Sequence, residues 1–221
     1  GLFNTSIKGI GVSSAGPLLN GVIMNPPNLP IRNFNIKKFL KKKYKVKVEV
    51  ENDANCVALA ESRIGVKKKN FFILTLGTGI GGGVIINGEL YTGNGYAGEL
   101  GHVVINGDGD MEDRWRYHIK RAKKHFGSDI LIKDMIKNRD PKCQKIISDM
   151  FDTLSKGIGS LINVFDPDVV VLNGGVKEIG DLFIKPIRKR VSKYVIIPKK
   201  YNIVWSKLYK PNLVGASFLV S

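Results

Sequence analysis

The sequence predicts an α/β protein, because segments of strand character alternate with segments of helical period along its 221 residues. Three stretches carry that expectation. Residues 71–76, Phe-Phe-Ile-Leu-Thr-Leu, are a β-rich apolar run. Residues 169–172, Val-Val-Val-Leu, read as a fully buried strand closed by Asn173-Gly174-Gly175. Residues 141–164 have helical periodicity instead, with Ile146, Ile147, Met150, Leu154, Ile158 and Leu161 facing inward.

The other elements follow in order. Residues 7–12 read as a buried strand running into the turn Ser13-Ser14-Ala15-Gly16-Pro17. Asn25-Pro26-Pro27-Asn28-Leu29-Pro30 reads as a rigid extended loop, since proline restricts itself and the residue before it. Residues 36–43 suit a short amphipathic helix, with Ile36, Phe39 and Leu40 on one face. Residues 46–50 alternate as a strand, and residues 54–64 form a helix that stops at Gly65. After residue 76 come a glycine-dense turn and a second β-rich run, 84–86, ended by the turn signal Asn87-Gly88. Residues 176–193 read as mostly helical despite Gly180 and Pro186. Residues 201–205 read as a strand, and 211–220 as a final helix with proline at its start. Charge peaks at Lys67-Lys68-Lys69 between two periodic blocks, which places a domain boundary near residues 67–70.

Composition narrows the partners. At this length one or two domains are expected, and 43% hydrophobic residues supply a sizeable core. A formal net charge of +16 suits polyanions, nucleotide or nucleic acid. The lysine runs, such as Lys41-Lys42-Lys43, read as solvated faces and loop tips. Aromatic residues are not interleaved with them as a base-stacking surface requires, so nucleic acid is not expected. Cys56 and Cys143 are distant and lie in helix-like segments; two cysteines build neither a disulfide framework nor a Cys-rich zinc site. With no signal peptide and no membrane-length apolar run, a cytoplasmic protein away from membranes is expected.

Three motifs carry chemistry. Glycines at 77, 79, 81, 82 and 83 let backbone N–H groups converge on one anion, most often phosphate. Gly77, Gly79 and Gly82 satisfy G-x-G-x-x-G, but the dinucleotide device needs a helix next, and Val84-Ile85-Ile86 is strand-like. No Gly-Lys-Ser/Thr is present for a P-loop. Strand, glycine turn and strand read as a hairpin gripping phosphates, or as an ordinary glycine hairpin. Glu51-Asn52-Asp53-Ala54-Asn55 stands where a strand ends and a helix begins, the place where α/β folds gather ligands. A carboxylate there can take a proton from a hydroxyl attacking a phosphoryl group, and Asn52 can both donate and accept toward a polyol. Asp53 is equally a sound helix N-cap. In Gly98-Glu99-Leu100-Gly101-His102 a glutamate and a histidine stand three apart, able to clamp adjacent sugar hydroxyls or to serve as plain surface polarity. Gly174-Gly175 precedes a helix and offers bare backbone to a nucleotide, or is an ordinary strand-to-helix turn.

Taken as an ordered set, these motifs resemble the ROK family of repressors, open reading frames and sugar kinases, especially its glucokinase-like members. The matching text is Gly16-Pro17, Asn28-Leu29, Glu51-Asn52-Asp53-Ala54-Asn55, residues 76–83, Gly98-Glu99-Leu100-Gly101-His102, Phe165-Asp166-Pro167-Asp168 and Gly174-Gly175. The resemblance implies the actin-like ATPase, ribonuclease H-like fold, two α/β lobes closing on ATP and sugar. Residues 1–69, with 209–221 packing back on them, would form the rest of the sugar-binding lobe, and 70–208 the nucleotide-binding lobe. The resemblance also implies Asp53 as the base, with Gly16, Asn28, Asn52, Glu99, His102 and Glu112 binding the sugar. Gly77, Thr78 and Gly79 would hold ATP phosphates, with Gly174 and Gly175 near the adenosine, and Mg²⁺ would travel with the nucleotide. The implied activity is phosphorylation of a hexose, glucose to glucose 6-phosphate, in a homodimer; a sugar-binding regulator without turnover, or a degenerate kinase, is the alternative. Two departures stand out. The family's Asp-x-Gly-Gly-Thr hairpin does not precede Gly1, and the expectation is that an upstream segment is omitted. The family's cysteine-rich zinc loop corresponds to residues 103–112, which hold no cysteine, so zinc is not expected and His102 is left free for the sugar. Arg114, Trp115, Arg116 and Tyr117 would pack where that loop sits.

Overall fold

Residues 7–24, 30–107, 109–197 and 199–221 are described by the computed structural model. Asn28 lies outside the described residues. The chain divides into two compact units, Gly1–Lys67 with Gly83–Gly98 and Lys207–Ser221, and Lys68–Gly82 with Glu99–Ser206. The division thus falls at the lysine run, and residues 83–98 cluster with the first unit.

The first unit begins with β1 (Gly9–Ser14), followed by the short antiparallel strands β2 (Leu18–Leu19), β3 (Val22–Ile23) and β4 (Phe34–Asn35). Helix α1 (Ile36–Tyr44) is capped by Asn35, whose Oδ1 accepts from Lys38 N–H at 2.8 Å. Its last turn holds Lys41, Lys42 and Lys43, where cations complement the helix dipole. Strand β5 (Lys47–Asn52) then pairs parallel with β1, from Gly9 opposite Lys47 to Ser14 opposite Asn52. The strand runs two residues past its predicted end, so Glu51 and Asn52 lie on it rather than beyond it. Helix α2 (Asp53–Arg63) starts at once and buries Ala54, Cys56, Val57, Ala58 and Ala60.

In the second unit β6 (Phe71–Leu76) buries Phe71, Phe72, Ile73, Leu74 and Leu76 almost completely, as a run covered on both faces must. The glycine turn follows, and β7 (Ile80–Ile86) leaves it without any helix. The end of β7 pairs with β8 (Glu89–Leu90) across a turn with positive φ at Asn87 and Gly88, the geometry the Asn-Gly pair favours. Ser62 Oγ donates to Gly88 O at 3.0 Å, which ties this hairpin to α2 within the first unit.

A 3₁₀ turn (Leu100–His102) precedes the paired strands β9 (Val104–Asn106) and β10 (Gly109–Asp110). Next come α3 (Met111–Phe126), α4 (Ile132–Lys137) and α5 (Pro141–Phe165), the crossover that parallel strands require. Sequence reading assigns no helix to residues 111–137. Charged residues crowd α3, and its buried stripe is narrow: Met111, Trp115, His118 and Ala122. Helix α5 buries every residue predicted to face inward. His118 sits at the α3–α5 contact with Nε2 3.2 Å from Thr153 Oγ1, while its buried Nδ1 has no partner among the described residues. Burial pushes this histidine down to about 4.

Strand β11 (Val169–Gly174) pairs parallel with β6, Leu172 opposite Leu74. A 3₁₀ turn (Gly175–Ile179) and α6 (Asp181–Val191) share the stretch expected as one helix. Gly180, at φ 62°, separates them. Strand β12 (Ile203–Trp205) completes the parallel set on the far side of β11. Helix α7 (Pro211–Phe218) returns to the first unit and packs on α2 and β1. There Gly215 meets Cys56 so closely that an added Cβ would stand 1.7 Å from the Cys56 carbonyl oxygen. Both cysteines are buried and free. Among the described residues no helix is long and apolar enough to cross a membrane.

Candidate functional site

In the first unit the β5–α2 junction gathers polar groups. Asn52, not Asp53, is the N-cap of α2: its Oδ1 accepts from Ala54 N–H at 2.8 Å and from Asn55 N–H at 3.4 Å. The capping role weighed for Asp53 therefore belongs to its neighbour. Asp53 is the first helical residue, half-buried, and its Oδ1 accepts from Ala54 N–H at 2.8 Å. Burial raises its pKa, partly offset by the Ala54 N–H. Asn52 Nδ2 approaches the Gly16 carbonyl at 3.5 Å, so Gly16, Asn52 and Asp53 form one neighbourhood. Glu51 supports it from behind, its Oε1 accepting from Asn52 N–H at 2.7 Å and from Asn55 Nδ2 at 3.0 Å.

In the second unit Gly77 N–H donates to Gly79 O at 3.0 Å, which closes the glycine turn. The start of α3 grips that turn at both ends. Trp115, wholly buried, donates from Nε1 to Gly77 O at 3.0 Å. Glu112 accepts from Ile80 N–H at 2.5 Å with Oε2, and its Oε1 pairs with Arg116 at 2.7 Å. A Cβ at position 79 would stand 2.4 Å from Glu112 Oε2, so this approach needs glycine. Each Glu112 oxygen keeps a lone pair for another donor.

Glu99 and His102 bracket the 3₁₀ turn, both exposed, with His102 N–H donating to Glu99 O at 3.1 Å. His102 is not left free as expected: its Nδ1 lies 2.8 Å from Asp110 Oδ2. Asp110 Oδ1 meanwhile accepts from Asp113 N–H at 2.7 Å and caps α3. The bond to Asp110 holds His102 above the usual histidine range. Burial works to raise Asp110, but the Asp113 N–H and His102 keep it below the usual carboxylate range.

A cavity of about 610 Å³ opens in the second unit beside the glycine turn. Gly77, Thr78 and Gly175 all line it, so three of the five predicted nucleotide-binding residues meet there. Ile119, Ile130, Leu131, Ile132, Val176 and Ile179 form its apolar wall, and Arg116, Lys120, Lys123 and Lys133 its cationic side. Gly174 lies one residue from the lining, at φ 117°, where a Cβ would stand 2.1 Å from Leu76 O. A smaller cavity, about 370 Å³, lies by α6 among Lys185, Arg188, Lys189 and Lys199, and no predicted site residue lines it. Among the described residues no three His, Cys, Asp or Glu side chains gather to hold a metal ion.

Sequence reading missed Asp110 and the roles of Trp115 and Arg116. An Asp three residues before Asp113 is a legible cap signal, and 116, 120 and 123 have helical spacing, but both depend on first assigning α3.

The ROK family model matches residues 2–114 and 116–221. The chain is 33% identical to a β-glucoside kinase of Klebsiella pneumoniae over 195 residues, 78% of this chain and 65% of that protein. It is 26% identical to a xylose repressor of Caldicellulosiruptor bescii, over 89% of this chain and 57% of the repressor. Among solved structures it resembles a ROK family glucokinase from Streptomyces griseus in complex with glucose and AMPPNP. There the TM-score is 0.81 at 28% identity, covering 98% of this chain and 82% of that one.

Proposed function

This chain belongs to the ROK family, with its actin-like ATPase fold, and on that premise we propose that it transfers a phosphoryl group from ATP to a hexose, glucose in the first instance. The observation that carries the reading is the cavity beside the glycine turn. Its volume lies within the range of small-ligand sites, roughly 300–1,000 Å³. One wall is apolar enough for a base, and the turn and the cationic side suit a phosphate chain. Gly77, Thr78 and Gly79 hold the phosphates, and Gly174 and Gly175 approach the adenosine. Mg²⁺ enters with the nucleotide and supplies neutralisation of its phosphate charge.

Asp53 takes the proton of the attacking hydroxyl, which requires its carboxylate form. Asn52, its amide oxygen committed to the helix cap and one Nδ2 N–H directed to Gly16 O, keeps the other Nδ2 N–H for a sugar oxygen. Gly16 and Asn28 are further sugar-binding residues on this reading. Glu99 accepts and His102 donates to sugar hydroxyls, the ring oriented by Asp110, and Glu112 takes a further hydroxyl. A homodimer is part of the same reading.

A coupled assay of ADP release with glucose, mannose, fructose and N-acetylated hexosamines tests it. Release with any of them supports kinase activity, and none with all of them defeats it. The likeness to a xylose repressor favours a second reading, a sugar-binding regulator without turnover. Hexose binding by calorimetry with no ADP release selects that reading.

A further inference from the structure

We propose that Arg116 is a phosphate-binding residue of the donor cavity and that Glu112 is the residue that positions it. The inference rests on the nucleotide reading of that cavity.

Arg116 follows Glu112 by one helical turn, and an exposed pair at that spacing is ordinarily worth little. Two observations set this pair apart. The Glu112 side chain is only 13% exposed, and it is anchored to the glycine turn by the bond from Ile80 N–H. Arg116, at 52%, is open to solvent and lines the cavity together with Gly77 and Thr78. The position a Cβ would take at Gly79 lies 3.1 Å from Arg116 Nη2, so the guanidinium lies against the turn itself.

The carboxylate thus indexes the guanidinium to the backbone that cradles phosphate. Glu112 engages one edge of a group that carries five N–H donors, and the rest of the planar fork is available to phosphate oxygens. Lys120 and Lys123 continue the cationic row along α3 and form no ion pair among the described residues. Four cations line the cavity against one carboxylate, Glu178, a surplus that suits the phosphate chain of a donor rather than a neutral sugar.

The test is calorimetric binding of a non-hydrolysable ATP analogue to wild type, Arg116→Ala, Arg116→Lys and Glu112→Gln, with ATP and hexose KM measured in parallel. Arg116→Ala is expected to weaken analogue binding by roughly ten- to a hundredfold, the scale of a lost charge-assisted contact, and to raise ATP KM while hexose KM stays within about twofold. Arg116→Lys should restore part of the loss. Glu112→Gln keeps an acceptor for Ile80 N–H but loses the ionic hold, so it should weaken the analogue several-fold. Undiminished binding in Arg116→Ala, or a wild type that does not bind the analogue, overturns the proposal; undiminished binding in Glu112→Gln overturns its positioning half. If wild type binds the analogue yet releases no ADP with any hexose, the kinase reading fails alone, and the variants' binding still decides Arg116.

Discussion

His102 Nδ1 lies 2.8 Å from Asp110 Oδ2, and the other oxygen of that carboxylate caps α3. One aspartate therefore fixes both the ring and the helix that grips the glycine turn. The ring is pinned at Nδ1, which leaves Nε2 as its outward group.

Asp110→Asn should lower the His102 pKa toward the ordinary histidine value. In wild type the pairing keeps the ring protonated to higher pH. Its contribution is fully present below the unfolded pKa and is lost as pH rises through the raised folded value. An NMR titration of the His102 ring checks this directly, and an unchanged midpoint in the variant refutes it. A several-fold rise in hexose KM should accompany the shift.

Asp53→Asn should reduce turnover by roughly 10²–10⁴ with hexose binding largely retained, because a positioned base contributes on that scale. Burial raises the pKa of Asp53, so wild-type kcat should fall on the acid side at a higher pH than an exposed aspartate would produce. Wild-type turnover in the variant removes Asp53 from the role of base.

Acid should destabilise the second unit through His118. Its folded pKa, about 4, lies below the ordinary 6.5, so the unfolded chain takes up the proton first. Stability is full above the ordinary value and declines as pH falls from 6.5 toward 4, by of order 3 kcal/mol once both forms are protonated. Asp149 opposes this from α5, whereas Arg114, Arg121 and Lys145 reinforce it. Urea midpoints across that window should flatten in His118→Gln; an equally steep decline would assign the acid sensitivity elsewhere.

Two adjacent glycines should respond differently to alanine. Gly174→Ala forces a strained φ and a clash with Leu76 O, costing at least about 1–3 kcal/mol from the backbone alone, read as a lower urea midpoint. Gly175 has open space where the methyl would go, so Gly175→Ala should unfold like wild type while raising ATP KM. Equal midpoints for the two variants would contradict the geometry.

Most of the architecture was readable in advance where periodicity was strong. The runs at 71–76 and 169–172 are strands, and the α5 stripe faces the core as its spacing required. Helix α3 was not readable, because Met111, Trp115, His118 and Ala122 make a thin stripe among charged neighbours. The grip on the glycine turn was hidden for the same reason: it joins residues 112 and 115 to 80 and 77, a pairing that only the folded chain creates. Asn52 displaced Asp53 as cap because β5 extends two residues beyond where alternation weakens.

Helix α7 sets an order on biosynthesis. The strands and helices it covers are made early, yet the backbone of Gly215 must reach that of Cys56 before their common face is shielded from water. Residues 68–82 and 99–206 form a unit that does not include α7, whereas α2 and β1 lack the cover of α7 until the end of the chain is in place. Truncations just short of residue 211 should therefore accumulate in aggregates rather than as a smaller soluble protein.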